Sequence, residues 1–192
     1  MKLLSLLALL PSALAVAIPQ ATTATGAAAT PSPSLVPTGP EYHLKSKLVN
    51  DNETVSKAKF DGLYLVATHT GAGLNDAVFS SQKQYAIKGF QNITESTGES
   101  YQEFDLGNYW PYGLNLGYAA YAAWSPVTID AGQGDDGFIL QANGVVSTTG
   151  SFGGWLACDW WHNEPQLFYI NKFYPLDTPS SCAQIYLVKE DL

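Results

Sequence analysis

Arginine is missing from this chain of 192 residues: its nine basic residues are all lysine, set against 17 carboxylates, for a formal charge of −8. Phosphate backbones are gripped by positive surface and by the planar guanidinium fork. An acidic chain without that fork, of pI about 4.6, therefore points away from nucleic acid as a partner. Charge of either sign is sparse at 14%, yet 46% hydrophobic and 12% aromatic content is too apolar for intrinsic disorder. Long apolar runs are lacking as well. Beyond the first residues no stretch approaches the roughly 20 apolar positions of a membrane-spanning helix, and the polar end Val188-Lys189-Glu190-Asp191-Leu192 has no hydrophobic tail for a lipid anchor.

Catalytic and metal-binding signatures are equally scarce. The three histidines, His43, His69 and His162, stand far apart without HxH, HxxxH or HExxH spacing, so no local zinc site is encoded. There is no GxSxG elbow, because Gly150-Ser151-Phe152-Gly153 has the wrong order, and there is no Walker loop. Gly132-Gln133-Gly134-Asp135-Asp136-Gly137 matches GxGxxG in form only. A β-type run, Phe138-Ile139-Leu140, follows where a helix should start, and two carboxylates would face the pyrophosphate, so the segment reads as a tight glycine-rich connection. With Asp130 it offers hard oxygens to calcium, but the spacing departs from the EF-hand loop and acidic surface loops are ordinarily just solvated. Neither a metal nor a cofactor is expected.

What is present begins with an address. Met1-Lys2, the leucine- and alanine-rich run Leu3 to Leu10, and Pro11-Ser12 before Ala13-Leu14-Ala15 read as a secretory signal peptide over residues 1–15, with Ala15-Val16-Ala17 offering a second cleavage frame. Residues 16–40 are rich in Ser, Thr, Pro and Ala and contain no charge, as in an extended flexible arm. The expected location is extracellular or wall-associated. In that setting Asn52-Glu53-Thr54 and Asn92-Ile93-Thr94 become N-glycosylation acceptors, at Asn52 and Asn92, and Cys158 and Cys182, the only cysteines, can close one disulfide worth about 3 kcal/mol in the chain-entropy model.

Residues 41–192 form one domain in which the dominant hydrophobic period is two. Tyr42, Leu44 and Leu48 alternate with His43, Lys45 and Lys47, and Leu63 to Thr68 is apolar on both faces. Further runs at Tyr85 to Ile87, Tyr101 to Leu106, Leu116 to Trp124, Phe138 to Ala142, Trp155 to Trp161, Gln166 to Ile170 and Ala183 to Val188 are parted by Gly, Pro and Asn. Asn143-Gly144 is the strongest hairpin signal, since both central positions of a type I′ turn need positive φ. With nine or ten short strands and no amphipathic helix, the pattern predicts an all-β, antiparallel sandwich or barrel, its disulfide stapling the last strand to the tryptophan-rich one. A β-trefoil is the alternative; division by three gives a period of about 51, but no motif repeats cleanly.

The aromatics are concentrated. All five tryptophans and many tyrosines fall between Tyr109 and Trp161. An aromatic ring with a polar tip stacks on the CH-rich face of a sugar while Asp, Asn and Gln bond its hydroxyls, so this surface suits a neutral polysaccharide or glycan. Tyr109, Trp110 and Tyr112 lie in a loop-like stretch, and of the adjacent Trp160 and Trp161 only one can face the core; Trp161 is taken as the outward ligand contact. Asp159 and Glu164, flanking the tryptophan-rich hairpin, are the best carboxylate pair for glycoside hydrolysis, but among 17 carboxylates some pair always looks suggestive, and the reading leans away from an enzyme.

Gly153-Gly154-Trp155-Leu156-Ala157-Cys158-Asp159-Trp160-Trp161, then Pro165-Gln166-Leu167-Phe168-Tyr169 and Ser181-Cys182-Ala183, resembles an uncharacterised family of small secreted proteins of filamentous fungi. The resemblance implies a fungal extracellular protein with one structural disulfide and brings no catalytic residue. Three classes remain: a secreted non-catalytic module binding cell-wall or host glycan, a structural or interaction protein of those surfaces, and a small hydrolase.

Overall fold

Burial alternates along β1 (Tyr42–Leu48), where Leu44, Ser46 and Leu48 turn inward past the part-exposed Lys45 and the exposed Lys47. Period-two patterns of this kind run through the domain. In the computed structural model, residues 37–50, 56–118, 122–160, 164–174 and 177–192 are described. The expected signal peptide, most of the arm, Asn52, Trp161 and His162 lie outside them.

The remaining strands are β2 (Tyr64–Gly71), β3 (Leu74–Ser80), β4 (Lys88–Ile93), β5 (Ser100–Asp105), β6 (Tyr112–Leu116), β7 (Trp124–Ala131), β8 (Phe138–Gln141), β9 (Gly144–Ser147), β10 (Phe152–Asp159), β11 (Pro165–Asn171) and β12 (Cys182–Asp191). No α-helix occurs among the described residues, only 3-10 turns at Ala58–Phe60 and Lys83–Tyr85. Every pairing between strands is antiparallel. Ten strands form one sheet that closes on itself: β4 returns to β1, β10 joins β11, and β3 meets β7. The result is a closed nine-strand antiparallel barrel with one extra strand, β2, beside a separate β8–β9 hairpin. Of the expected sandwich or barrel, the chain forms the barrel.

The pairings also repeat threefold. Three hairpins, β2–β3, β6–β7 and β10–β11, meet one another through β3, β7 and β11, by the pairs Asp76 with Thr128, Pro126 with Phe168, and Gln166 with Val78. In each pair the residue before one central side chain meets the residue after the next. The central side chains are Ala77, Val127 and Leu167, and all three are fully buried. Around them lie the cross-strand pairs Leu65 with Phe79, Leu114 with Ile129, and Trp155 with Tyr169, all buried. The other six strands ring the far end. β1–β12, β1–β4, β4–β5 and β8–β9 are ladders, Tyr101 and Asp136 bridge β5 to the approach to β8, and Gly144 of β9 lies against the Leu187 carbonyl of β12. This is the pairing scheme of a β-trefoil, the alternative of the sequence reading, with repeats β1–β4, β5–β8 and β9–β12.

Leu44, Phe104 and Val145, one from the first strand of each repeat, fill the barrel beneath that axis, and the Trp155 indole N–H donates to the Val145 carbonyl at 2.6 Å. Each such side chain contributes on the order of 2 kcal/mol by burial. Tyr42 is buried among them; its hydroxyl donates to Gln102 Oε1 at 2.8 Å, and loss of water pushes its pKa up to about 12. Cys158 and Cys182 are directly opposed in the β10–β12 ladder and form the expected disulfide.

Several local expectations shift. The hairpin at 142–143 is one residue earlier than Asn143-Gly144: Gln141 pairs with Gly144, which takes the positive φ as the first residue of β9. Tyr112 is not in a loop but opens β6, and of the run read as Leu116 to Trp124 the two ends are strand, Leu116 closing β6 and Trp124 opening β7, while residues 119–121 lie outside the described residues. The glycine-rich connection is a turn, with positive φ at Gly132, Gly134 and Gly137. It packs so tightly on Gly113 that a Cβ there would stand 2.1 Å from the Gln133 carbonyl. Its carboxylates are spent on backbone: Asp135 accepts from Leu116 N–H and Asp136 from Ser100 N–H, both at 2.7 Å, while Asp130 accepts from Thr128 Oγ1 at 2.6 Å and Asn75 N–H at 3.1 Å. Among the described residues no group of three His, Cys, Asp or Glu is placed to hold a metal ion.

Candidate ligand-binding site

Where the first repeat meets the second, the chain leaves a cleft. One wall is the β2–β3 hairpin, with His69 and Asn75; the second is the 3-10 turn leading into β4, with Tyr85 and Lys88; the third is the segment from the end of β5 to β6. The cleft is open to solvent and has a volume of about 620 Å³, within the roughly 300–1,000 Å³ usual for small-molecule sites. Its lining combines apolar Val66, Ala67, Ile87 and Leu106 with the buried amide of Asn75 and with aromatic and charged side chains.

The third wall is built by local hydrogen bonding. Asp105 Oδ1 accepts from Gly107 N–H at 2.7 Å, an Asx turn that lets Gly107 take positive φ and swings the chain outward. Asn108 Nδ2 then donates to the Tyr112 hydroxyl at 3.2 Å, holding that ring at the cleft. Tyr109 and Trp110, on the same segment, pack edge to face with ring centroids 4.9 Å apart, and both remain more than half exposed. Lys88 and Asp105 are opposite one another in the β4–β5 ladder, and Lys88 Nζ lies 3.5 Å from Glu41.

Of the four aromatics expected to contact ligand, Tyr112 thus lines the cleft, Tyr109 and Trp110 stand exposed on its wall segment, and Trp161 is outside the described residues. Trp160, exposed just past the end of β10, packs its ring edgewise against Phe168. Sequence reasoning missed Tyr85 and Asn108 as site residues. Tyr85 was read as the start of a strand, whereas the turn Lys83–Tyr85 leaves its ring 56% exposed.

The carboxylate pair Asp159 and Glu164 sits elsewhere. Asp159 is exposed and ion-paired with Lys59, and Glu164 accepts from Thr68 Oγ1 at 3.4 Å. Neither lines the cleft. Asn92, the second sequon residue, is half-buried on β4 and donates through Nδ2 to Glu103 Oε1 at 3.0 Å. Glu103 is buried, and loss of water holds its carboxyl above the usual range against the lowering effect of that bond.

Two further cavities are walled mainly by the third repeat. They share Gly153, Ile170 and Gln184; the larger, about 410 Å³, is walled by Val145, Phe152 and Trp155.

The fold and this aromatic-rimmed cleft define a disulfide-linked β-barrel domain. Residues 39–191 match a family described as a domain of unknown function, DUF7907, and the chain belongs to it. No curated protein and no solved structure matches.

Proposed function

We propose that this is a secreted, non-catalytic module that binds a short stretch of neutral cell-wall or host glycan in the cleft between the first two repeats. The observation that carries the reading is the pairing of two tyrosine rings, Tyr85 and Tyr112, with Asp105 and Asn108 around a space of sugar-binding size. Rings of this kind cover the apolar face of a pyranose, while carboxylate and amide bond its hydroxyls. Tyr109 and Trp110, next along the wall, extend the aromatic surface for a second sugar unit. Secretion rests on the leader-like residues 1–15.

The test is depletion of the purified protein from solution by insoluble chitin, β-1,3-glucan and cellulose, comparing wild type with Tyr112→Ala and Trp110→Ala. Depletion by one polymer, weakened about tenfold in Tyr112→Ala with unchanged circular dichroism, is the expected result; no depletion by any of them sinks the reading.

A further inference from the structure

The lining of the cleft holds more than a chain of plain glucose uses. Tyr85 and Tyr112 can cover the apolar face of a pyranose, and Asp105 and Asn108 can bond its hydroxyls. Left over are Ala67, Ile87 and Leu106, half-buried side chains packed against the barrel core, together with His69 and Asn75. A sugar hydroxyl pressed onto that aliphatic group would give up water without gaining a partner. A methyl group there carries no such cost.

The two polar residues are arranged as a pair. His69 and Asn75 are direct partners in the β2–β3 ladder, so their side chains leave the same face of the sheet, with Cβ atoms about 5 Å apart. Ala67, two residues before His69, shares that face. Asn75 is only 5% exposed, and its position is fixed from two sides: Nδ2 donates to the Ile129 carbonyl at 2.7 Å, and its backbone N–H donates to Asp130 at 3.1 Å. With Nδ2 committed to β7, Oδ1 is the bonding end left to the amide. His69 is exposed and supplies a ring N–H. An acceptor and a donor thus stand side by side next to an aliphatic step, which are the three partners of an acetamido group: one for its N–H, one for its carbonyl and one for its methyl. The charged side chains of the opposite wall oppose one another, since Lys88 lies 3.5 Å from Glu41 and pairs with Asp105 in the β4–β5 ladder, and this suits a neutral substituent.

We infer that the cleft selects glycans bearing N-acetyl groups, placing the acetamido between His69 and Asn75 with its methyl on Ala67, Ile87 and Leu106. The inference rests on the glycan-binding reading above and narrows it. Among cell-wall polymers it picks the β-1,4-linked N-acetylglucosamine chain, because glucans carry a hydroxyl where that chain carries the acetamido.

Isothermal titration calorimetry of the full chain with the tetramers of β-1,4-linked N-acetylglucosamine, β-1,4-linked glucose and β-1,3-linked glucose separates the two claims. The first two share a linkage and differ only in the substituent at C2. The acetylated tetramer is expected to bind at least about tenfold tighter than either glucose tetramer, the discrimination that one small apolar group gives in a fitted pocket. His69→Ala, a change at an exposed position, is expected to narrow that ratio with unchanged circular dichroism, whereas Tyr112→Ala weakens both β-1,4 tetramers and keeps it. Equal affinity for the two β-1,4 tetramers, or tighter binding of a glucose tetramer, keeps the glycan reading and overturns the selection. A ratio left unchanged by His69→Ala overturns the placement of the acetamido. No binding of any tetramer removes the glycan reading and the selection with it.

Discussion

The three hairpins that meet at the axis are near copies of one another, whereas the three junctions between repeats, β4–β5, β8–β9 and β12–β1, are not. At the axis, Ala77, Val127 and Leu167 differ in size but occupy one register, and each is fully buried. At the junctions, the corresponding ladder pairs are Lys88 with Asp105, Ile139 with Val146, and Val188 with Lys45: a charge pair, an apolar pair and a mixed one. Packing constrains the axis, because a slip of one residue would turn every inward side chain outward. Solvent-facing positions carry no such constraint, so differences accumulate there, and a site grafted on a symmetric fold is found where the symmetry fails.

The largest effect that sharpens this contrast comes from truncating on either side of it. Phe104→Ala removes a fully buried ring of the barrel and is expected to cost about 3–5 kcal/mol of unfolding free energy, read by urea denaturation. Tyr112→Ala, eight residues later on the cleft, is expected to cost far less stability while weakening glycan binding about tenfold. Equal losses of stability in the two variants would place Tyr112 in the core and break the distinction.

Second in size is the disulfide. The double variant Cys158→Ser, Cys182→Ser opens a link between residues 24 apart, for which the chain-entropy model gives about 3 kcal/mol. The β10–β12 ladder holds further pairs, from Trp155 with Ile185 to Ala157 with Ala183. The unbridged protein is therefore expected to keep its far-ultraviolet spectrum and its cleft, melting at a lower temperature. Loss of binding along with the bridge would show that the third repeat supports the β4–β5 junction.

The sequence made the strand content legible because inward side chains alternate, as at Leu44, Ser46 and Leu48. The staple was legible because only two cysteines exist. The threefold repeat was not, for a physical reason. Division by equal lengths fails when one repeat carries fifteen residues between its first two strands and another carries four, and what repeats is register and burial, where Leu65, Leu114 and Trp155 are equivalent without being alike. Half the cleft was visible as the aromatic run Tyr109 to Tyr112. Tyr85 and Asn108 were not, since convergence of the turn before β4 with the β5–β6 segment is a property of pairing across the barrel that no local pattern records. Asp159 and Glu164 illustrate the converse: near in sequence, each is engaged by a different partner.

The smallest effects are electrostatic, and they set the β12–β1 junction against the β4–β5 junction. Hydrogen bonds from Lys83 and Lys45 hold Glu190 down to about 2. A carboxylate whose folded value lies below its unfolded one contributes stability above the ordinary carboxylate range, and that contribution is lost as pH falls toward about 2. Glu190→Gln is therefore expected to lower the melting temperature at pH 7 and to match wild type near the acid end. Glu103 runs the other way. Its pKa is raised by burial, so its favourable contribution is present below the ordinary carboxylate range and is lost as pH rises through the folded value. Glu103→Gln keeps an oxygen for Asn92 Nδ2 and removes the cost of a buried charge. Its melting temperature is expected to exceed that of wild type at pH 7 by a small margin that vanishes under acid. The two variants should thus depart from wild type in opposite directions as pH rises from 3 to 7, a pair of melting curves that checks both environments at once. If Glu103→Gln instead tracks Glu190→Gln, the buried carboxylate has a cationic partner, and the β4–β5 junction resembles the β12–β1 junction more closely than its register suggests.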